Sequence, residues 1–97
     1  VSENRRTEVG VMAVGTMRYW AAAKEAAGTA EEAYDAETLA DALHAARERH
    51  AGSARFVPVV GNSSFVVDGN PVGKRDHASV QLTEGGTVEV LPPFAGG

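Results

Sequence analysis

The sequence predicts an α+β domain in which one main helix packs across a mixed β-sheet. Three observations carry this: strand-like alternation near both ends, a threonine-capped apolar helical stripe between them, and glycine or proline at most junctions. At 97 residues the chain has room for one compact domain, with too little apolar surface to enclose a large active site. Hydrophobic residues make up 43%, which suits a folded globule rather than a disordered tail.

Residues 1–8 are polar, with Glu3, Arg5, Arg6 and Glu8, and read as a flexible N-terminal extension to a domain over 9–93. Val9 to Trp20 alternates as a strand, with Met17 and Tyr19 on one face and Thr16, Arg18 and Trp20 on the other. Gly10 and Gly15 interrupt it, as a bulge or the true strand start would. Ala21 to Ala27 (AAAKEAA) has the propensity of a short helix, and Gly28 is a natural C-cap. Ala30 to Ala36, with Tyr34 among Glu31, Glu32 and Asp35, is a candidate edge strand. Thr38 then N-caps the main helix, and Asp41 in its first turn complements the helix dipole. Leu39, Ala42, Leu43 and Ala46 form its apolar stripe, Arg47, Arg49 and His50 occupy its last turn, and Gly52 ends it.

Residues 51–62 (AGSARFVPVVGN) are more apolar than a plain surface loop, and suit either filling the end of the sheet or forming a partner surface. Ser64 to Asp68 (SFVVD) reads as a strand, followed by a turn at Asp68-Gly69-Asn70-Pro71. Val80 to Leu82 reads as a short strand and Glu84-Gly85-Gly86 as a tight turn. Thr87 to Leu91 (TVEVL) is the final strand, which Pro92 and Pro93 must end. Met17, Tyr19, Leu39, Leu43, Ala46, Val66, Val88 and Val90 are the expected core.

Composition removes several functions. No cysteine means no disulfide, zinc–thiolate site or cysteine nucleophile. A net charge of −4 has the wrong sign for a nucleic-acid binder. No apolar run approaches membrane-spanning length and no signal segment opens the chain, so a cytoplasmic location is expected. His44 and Glu48 share a helix face, but two ligands without a third rarely hold a metal. Asp35, Glu37 and Asp41 read as solvated surface charge, and Ser63 and Ser64 have no histidine in local register.

The final residues stand apart. The chain closes on Leu91-Pro92-Pro93-Phe94-Ala95-Gly96-Gly97, a diproline, an aromatic and then two residues without side chains. Such a tail, over 94–97, reaches roughly 13 Å when extended. It is slender enough to thread a narrow site on another protein, and with little apolar surface to bury it is expected to be flexible alone.

Taken with TVEVL, SFVVDG and MRYWAAAKEAAG, the ending LPPFAGG resembles the MoaD/ThiS family of ubiquitin-like sulfur carriers, over about Val14 to Gly97. The resemblance implies a β-grasp fold and a protein that is not itself an enzyme. It implies that a MoeB/ThiF-type activating enzyme uses ATP to adenylate the Gly97 carboxylate, which a sulfur donor converts to a thiocarboxylate. A synthase then takes the sulfur, for molybdopterin first, with thiamin thiazole, cysteine or a specialised metabolite as other destinations. Gly97 would be the reacting residue, while Gly96, Ala95, Phe94, Pro93 and Pro92 position the tail and meet the partner. No permanently bound cofactor, nucleic acid or membrane is expected. The alternatives are the small subunit of a molybdopterin synthase, a modifier joined to lysines through Gly97, and a plain interaction module.

Overall fold

A period of two in apolar residues builds a sheet with one buried face, and the computed structural model places five strands in it. The described residues are 12–93; the predicted extension over 1–8, residues 9–11 of the first predicted strand and the tail over 94–97 lie outside them. The elements run β1 (Ala13–Tyr19), α1 (Ala21–Ala27), β2 (Glu31–Ala36), α2 (Leu39–Arg49), α3 (Phe56–Gly61), β3 (Ser64–Val67), β4 (Asn70–Pro71), a 3₁₀ turn (His77–Ser79) and β5 (Thr87–Leu91). The strand order is β2-β1-β5-β3-β4. The central pair β1–β5 is parallel and the remaining pairs are antiparallel.

Register turns this topology into a core. Met17 lies opposite Val88, which lies opposite Val67, while Tyr19 lies opposite Val90, which lies opposite Phe65. All six are buried, and Leu39, Leu43 and Ala46 of α2 are buried with them. The Thr38 hydroxyl accepts the Asp41 N–H at 3.2 Å, the predicted N-cap. Gly28 closes α1 at φ 77 and donates its N–H to the Lys24 carbonyl, as a left-handed C-cap does.

Several expectations change. The apolar pair in β3 is Phe65 and Val67, not Val66, which is half-buried on the opposite face. Three apolar residues in a row cannot say which face they serve; pairing of Val66 with the outward Glu89 decides it. Val80 to Leu82 is not a strand but a single bridge, Thr38 to Gln81, with Val80 and Leu82 buried on either side. The predicted turn is tighter than four residues: Asp68 and Gly69 make it at φ 51 and 83, and Asn70–Pro71 forms a two-residue edge strand. Residues 51–62 contain a helix, α3, whose Phe56 and Val60, four apart, are fully buried. α3 therefore adds a third helix to the short helix and the main helix expected.

Gly15 is neither a bulge nor the start of β1. A Cβ there would collide with the Tyr34 ring and the Gly86 carbonyl, so the absent side chain leaves space that Tyr34 crosses. The buried Tyr34 hydroxyl then donates to the Thr83 carbonyl at 2.6 Å. The main helix also stops earlier than Gly52: His50 is its C-cap and donates its N–H to the Ala46 carbonyl, while the Ala51 N–H donates to the Glu48 carbonyl.

The register carries a direct test by chemical denaturation. Phe65→Ala should cost about 3–5 kcal/mol, as loss of a buried aromatic does. Val66→Ala should cost about 1 kcal/mol, because its side chain is only half withdrawn from water. Equal losses at the two positions would place the wrong face inward.

Candidate functional site

The middle strand of the sheet delivers the chain to its end. β5 is paired on both sides, so Leu91 enters the diproline from a rigid base. Pro92 is buried and Pro93 exposed, and neither has an N–H with which to continue a ladder. On one side they line a small cavity together with Ala22, Val59 and Asn62, contributed by α1 and α3 with its C-cap. On the other they border a groove of about 440 Å³ walled by Trp20, Ser64 and Leu91.

Trp20 is the notable residue of this groove. It remains 45% exposed, although both of its backbone groups are engaged. Its N–H donates to the Val90 carbonyl at 3.2 Å, and its carbonyl accepts from Ala23 and Lys24 in the first turn of α1. Ala21 completes the corner at φ 48, a left-handed value uncommon for alanine. The indole Nε1 donates to Glu89 Oε1 at 3.1 Å, which holds the ring toward the outer face of the sheet. The outward placement of Trp20 with Thr16 and Arg18, read from alternation, agrees with this. Alongside, Arg18 pairs with Glu31 at 3.1 Å, both about half exposed.

On the opposite face a second polar group has the look of chemistry. Glu32 Oε2 accepts from the Tyr19 hydroxyl at 2.5 Å and from Arg49 Nη2 at 3.1 Å, and lies 2.8 Å from His50 Nε2. The His50 ring stacks on Phe56, with centroids 4.5 Å apart. Burial by itself would raise the Glu32 carboxyl, but the hydrogen bonds from Tyr19, Arg49 and His50, with the Arg49 charge, outweigh it and hold the group below its ordinary value. Burial, then Glu32, pushes the Tyr19 phenol well above its usual range. Three side chains from β1 and the end of α2 converge on this one oxygen of β2, so the group reads as a clamp joining β1, β2 and α2.

Strand alternation was a signal for this clamp, since Glu32, Tyr34 and Ala36 fall on one side of β2, but it does not disclose which partners meet Glu32 there. The other candidates stay apart. His44 and Glu48 are 3.6 Å apart on an exposed helix face, and no group of three metal-ligating side chains occurs among the described residues. The Ser63 hydroxyl donates to the Val59 carbonyl at 2.8 Å, a contact at the end of α3. Pro92 and Pro93 follow the last strand, which ends at Leu91 as expected, while the predicted tail, Phe94, Ala95, Gly96 and Gly97, lies outside the described residues. No described helix is long and apolar enough to cross a membrane.

The ThiS family model matches residues 17–97. No curated protein sequence matches significantly. Among solved structures, the chain resembles small archaeal modifier protein 1 from Methanosarcina acetivorans at 23% identity and a TM-score of 0.73, covering 91% of this chain and 100% of that one. It resembles a Pyrococcus furiosus protein described as molybdopterin converting factor, subunit 1, at 20% identity and a TM-score of 0.68, covering 84% and 99%. A third likeness is small archaeal modifier protein 1 from Haloferax volcanii, at 21% identity and a TM-score of 0.69, covering 87% and 99%. The architecture is thus the ubiquitin-like β-grasp.

The Glu32 clamp has a pH signature. Its folded carboxyl titrates below the ordinary 4.5, so its stabilisation is present above that value and lost as pH falls through the folded pKa. Glu32→Gln should lower the melting temperature at pH 7, and the gap from the parent should narrow steadily as the pH drops below about 4.5. Melts that differ by the same amount at every pH would remove Glu32 from the acid transition.

Proposed function

Since this chain belongs to the ThiS family, we propose that it is a sulfur carrier whose working group is the Gly97 carboxylate. The observation that carries the reading is the family match extending through Gly96-Gly97, on a fold whose central strand ends in a diproline. In this scheme the carboxylate attacks the α-phosphorus of ATP on a MoeB/ThiF-type activating enzyme and pyrophosphate leaves. The resulting acyl-adenylate is a good electrophile where the carboxylate was a poor one. A sulfur donor then displaces AMP and leaves a thiocarboxylate, which a synthase of the molybdopterin type consumes. ATP belongs to the activating enzyme, and the chain holds no resident cofactor.

The roles follow from the side chains. Gly97 supplies the carboxylate, while Gly96 and Ala95 keep the tail narrow enough for an enclosed channel. Pro92 and Pro93 limit the directions in which the tail can leave β5. Phe94 is the partner-facing anchor of the tail. The chain is the substrate of these enzymes and not a catalyst.

A second reading, a modifier joined to lysines through Gly97, draws support from the likeness to two small archaeal modifier proteins. Both readings share the adenylate and differ in the nucleophile that resolves it. Incubation with activating enzyme, ATP and a sulfur source separates them: a carrier gains the mass of an oxygen-to-sulfur exchange, while a modifier yields lysine-linked ladders.

Deletion of Gly97 should abolish ATP–pyrophosphate exchange with the activating enzyme, because the carboxylate retreats by one residue along a gauged channel. The melting temperature should remain within a degree or so of the parent. Gly96→Trp should block exchange by sterics while the carboxylate persists. Exchange by the Gly97 deletion at the parental rate would sink the carrier and modifier readings together. Phe94→Ala should weaken partner binding with little loss of stability; a large fall in the melting temperature would make Phe94 a core residue instead.

A further inference from the structure

We propose that the outer edge of β2 takes up one extended, basic segment of another protein as an added strand. The inference goes beyond the Gly97 reading and does not depend on it, since β2 lies at the margin of the sheet and carries no part of the tail.

Hydrogen-bond alternation supplies the first argument. β2 opens the order β2-β1-β5-β3-β4, so one of its sides has no strand beside it among the described residues. Tyr19 donates its N–H to the Ala30 carbonyl at 2.8 Å, which fixes the phase of the antiparallel β1–β2 ladder. Glu32, Tyr34 and Ala36 therefore direct their backbone groups toward β1, and Glu31, Ala33 and Asp35 direct theirs outward. Thr16, opposite Ala33, keeps the same phase by donating away from β2, to the Gly86 carbonyl. The open stretch is bounded at both ends. Thr29 Oγ1 donates to the Glu31 carbonyl, and Leu82 donates its N–H to the Glu37 carbonyl. Between them the backbone N–H and C=O groups of Ala33 and Asp35 meet no partner among the described residues, and both residues are exposed. Such an edge is a template for a further strand.

Charge selects the occupant. Between Lys24 and Arg47 the sequence holds six acidic residues and no lysine or arginine. Glu31 and Glu32 draw their cations from other elements, Arg18 and Arg49. No ion pair among the described residues reaches Asp35 or Glu37. A second copy meets this edge badly. Antiparallel pairing about Ala33 would set Glu31 of each copy against Asp35 of the other, and like charges directly opposite oppose pairing. The same geometry favours a basic side chain opposite Asp35, beside a small one opposite Ala33.

The probe is the end-capped peptide TRVSVRT, with TEVSVET as its acidic counterpart. Its arginines flank the serine symmetrically, so either strand direction brings one of them against Asp35. Added to the full ¹⁵N-labelled chain, TRVSVRT should slow hydrogen exchange at the Ala33 and Asp35 amides roughly tenfold near saturation. The Glu32 and Tyr34 amides, already in the ladder, should change little, so that protection alternates along β2. TEVSVET should leave all four as they are. Ala33→Pro removes only an outward donor, which an edge strand tolerates, and should abolish the protection at Asp35. Asp35→Lys alters no backbone group, and should weaken binding of TRVSVRT roughly tenfold while admitting TEVSVET.

Unchanged exchange at Ala33 and Asp35 in millimolar TRVSVRT, or equal protection by the two peptides, would overturn the proposal while leaving Gly97 activation intact. Protection that rises with chain concentration alone would assign the edge to a second copy. Protection of the free chain that is lost on deleting residues 1–11 would assign it to the chain's own first residues. Either result overturns the proposal.

Discussion

The parallel pairing of β1 with β5 is the constraint on which the rest of the structure depends. It joins residues some seventy positions apart in register, Met17 with Val88 and Tyr19 with Val90. Parallel neighbours cannot be joined by a tight turn, so α1, α2, α3 and the outer strands must all be accommodated between them. Met17, Tyr19, Val88 and Val90 face one way as a consequence, and Leu39, Leu43 and Ala46 of α2 are buried with them. Close approach along the same seam explains Gly15 and Gly86, where a Cβ on either would meet Tyr34.

The pairing also decides where chemistry is available. A central strand has no free backbone edge, so β5 can offer a partner only its outward side chains and the residues that follow it. Those side chains include Glu89, which engages Trp20, and Leu91, which lines the groove at the diproline. Rigidity at the root and absence of side chains at the end divide the labour: the fold fixes where the tail begins, and glycine makes its last residues narrow.

The inner face uses its polar groups differently. Glu32, Tyr19, Arg49 and His50 form a concentrated set of titratable side chains, yet they satisfy one another and tie the end of α2 to the sheet. Phe56 continues this contact into α3 through its stack on His50 and its edge-on contact with Tyr19. Perturbed ionisation here reports a structural clamp, which is a common origin of such shifts outside active sites.

Local chemistry made much of this protein legible from its sequence. Thr38 and Gly28 cap their helices because capping depends on a few adjacent atoms, and TVEVL alternates because a strand has two faces. The Leu39–Ala46 stripe and the ending LPPFAGG were equally plain, as was the family resemblance they support. What the sequence left open were quantities set by distant partners. Whether Phe65 or Val66 faces inward is a matter of register with β5, and Val80 and Leu82 are buried without a strand because Gln81 only bridges Thr38. Residues 56–61 become helical where Phe56 and Val60 can both enter the core. The groove at Trp20 is likewise a tertiary product, since the corner between β1 and α1, the end of α3, β3 and the end of β5 contribute walls that no short stretch of sequence contains. Periodicity and caps are written within a few residues of one another, whereas register and grooves arise only when segments far apart in the chain are brought into contact.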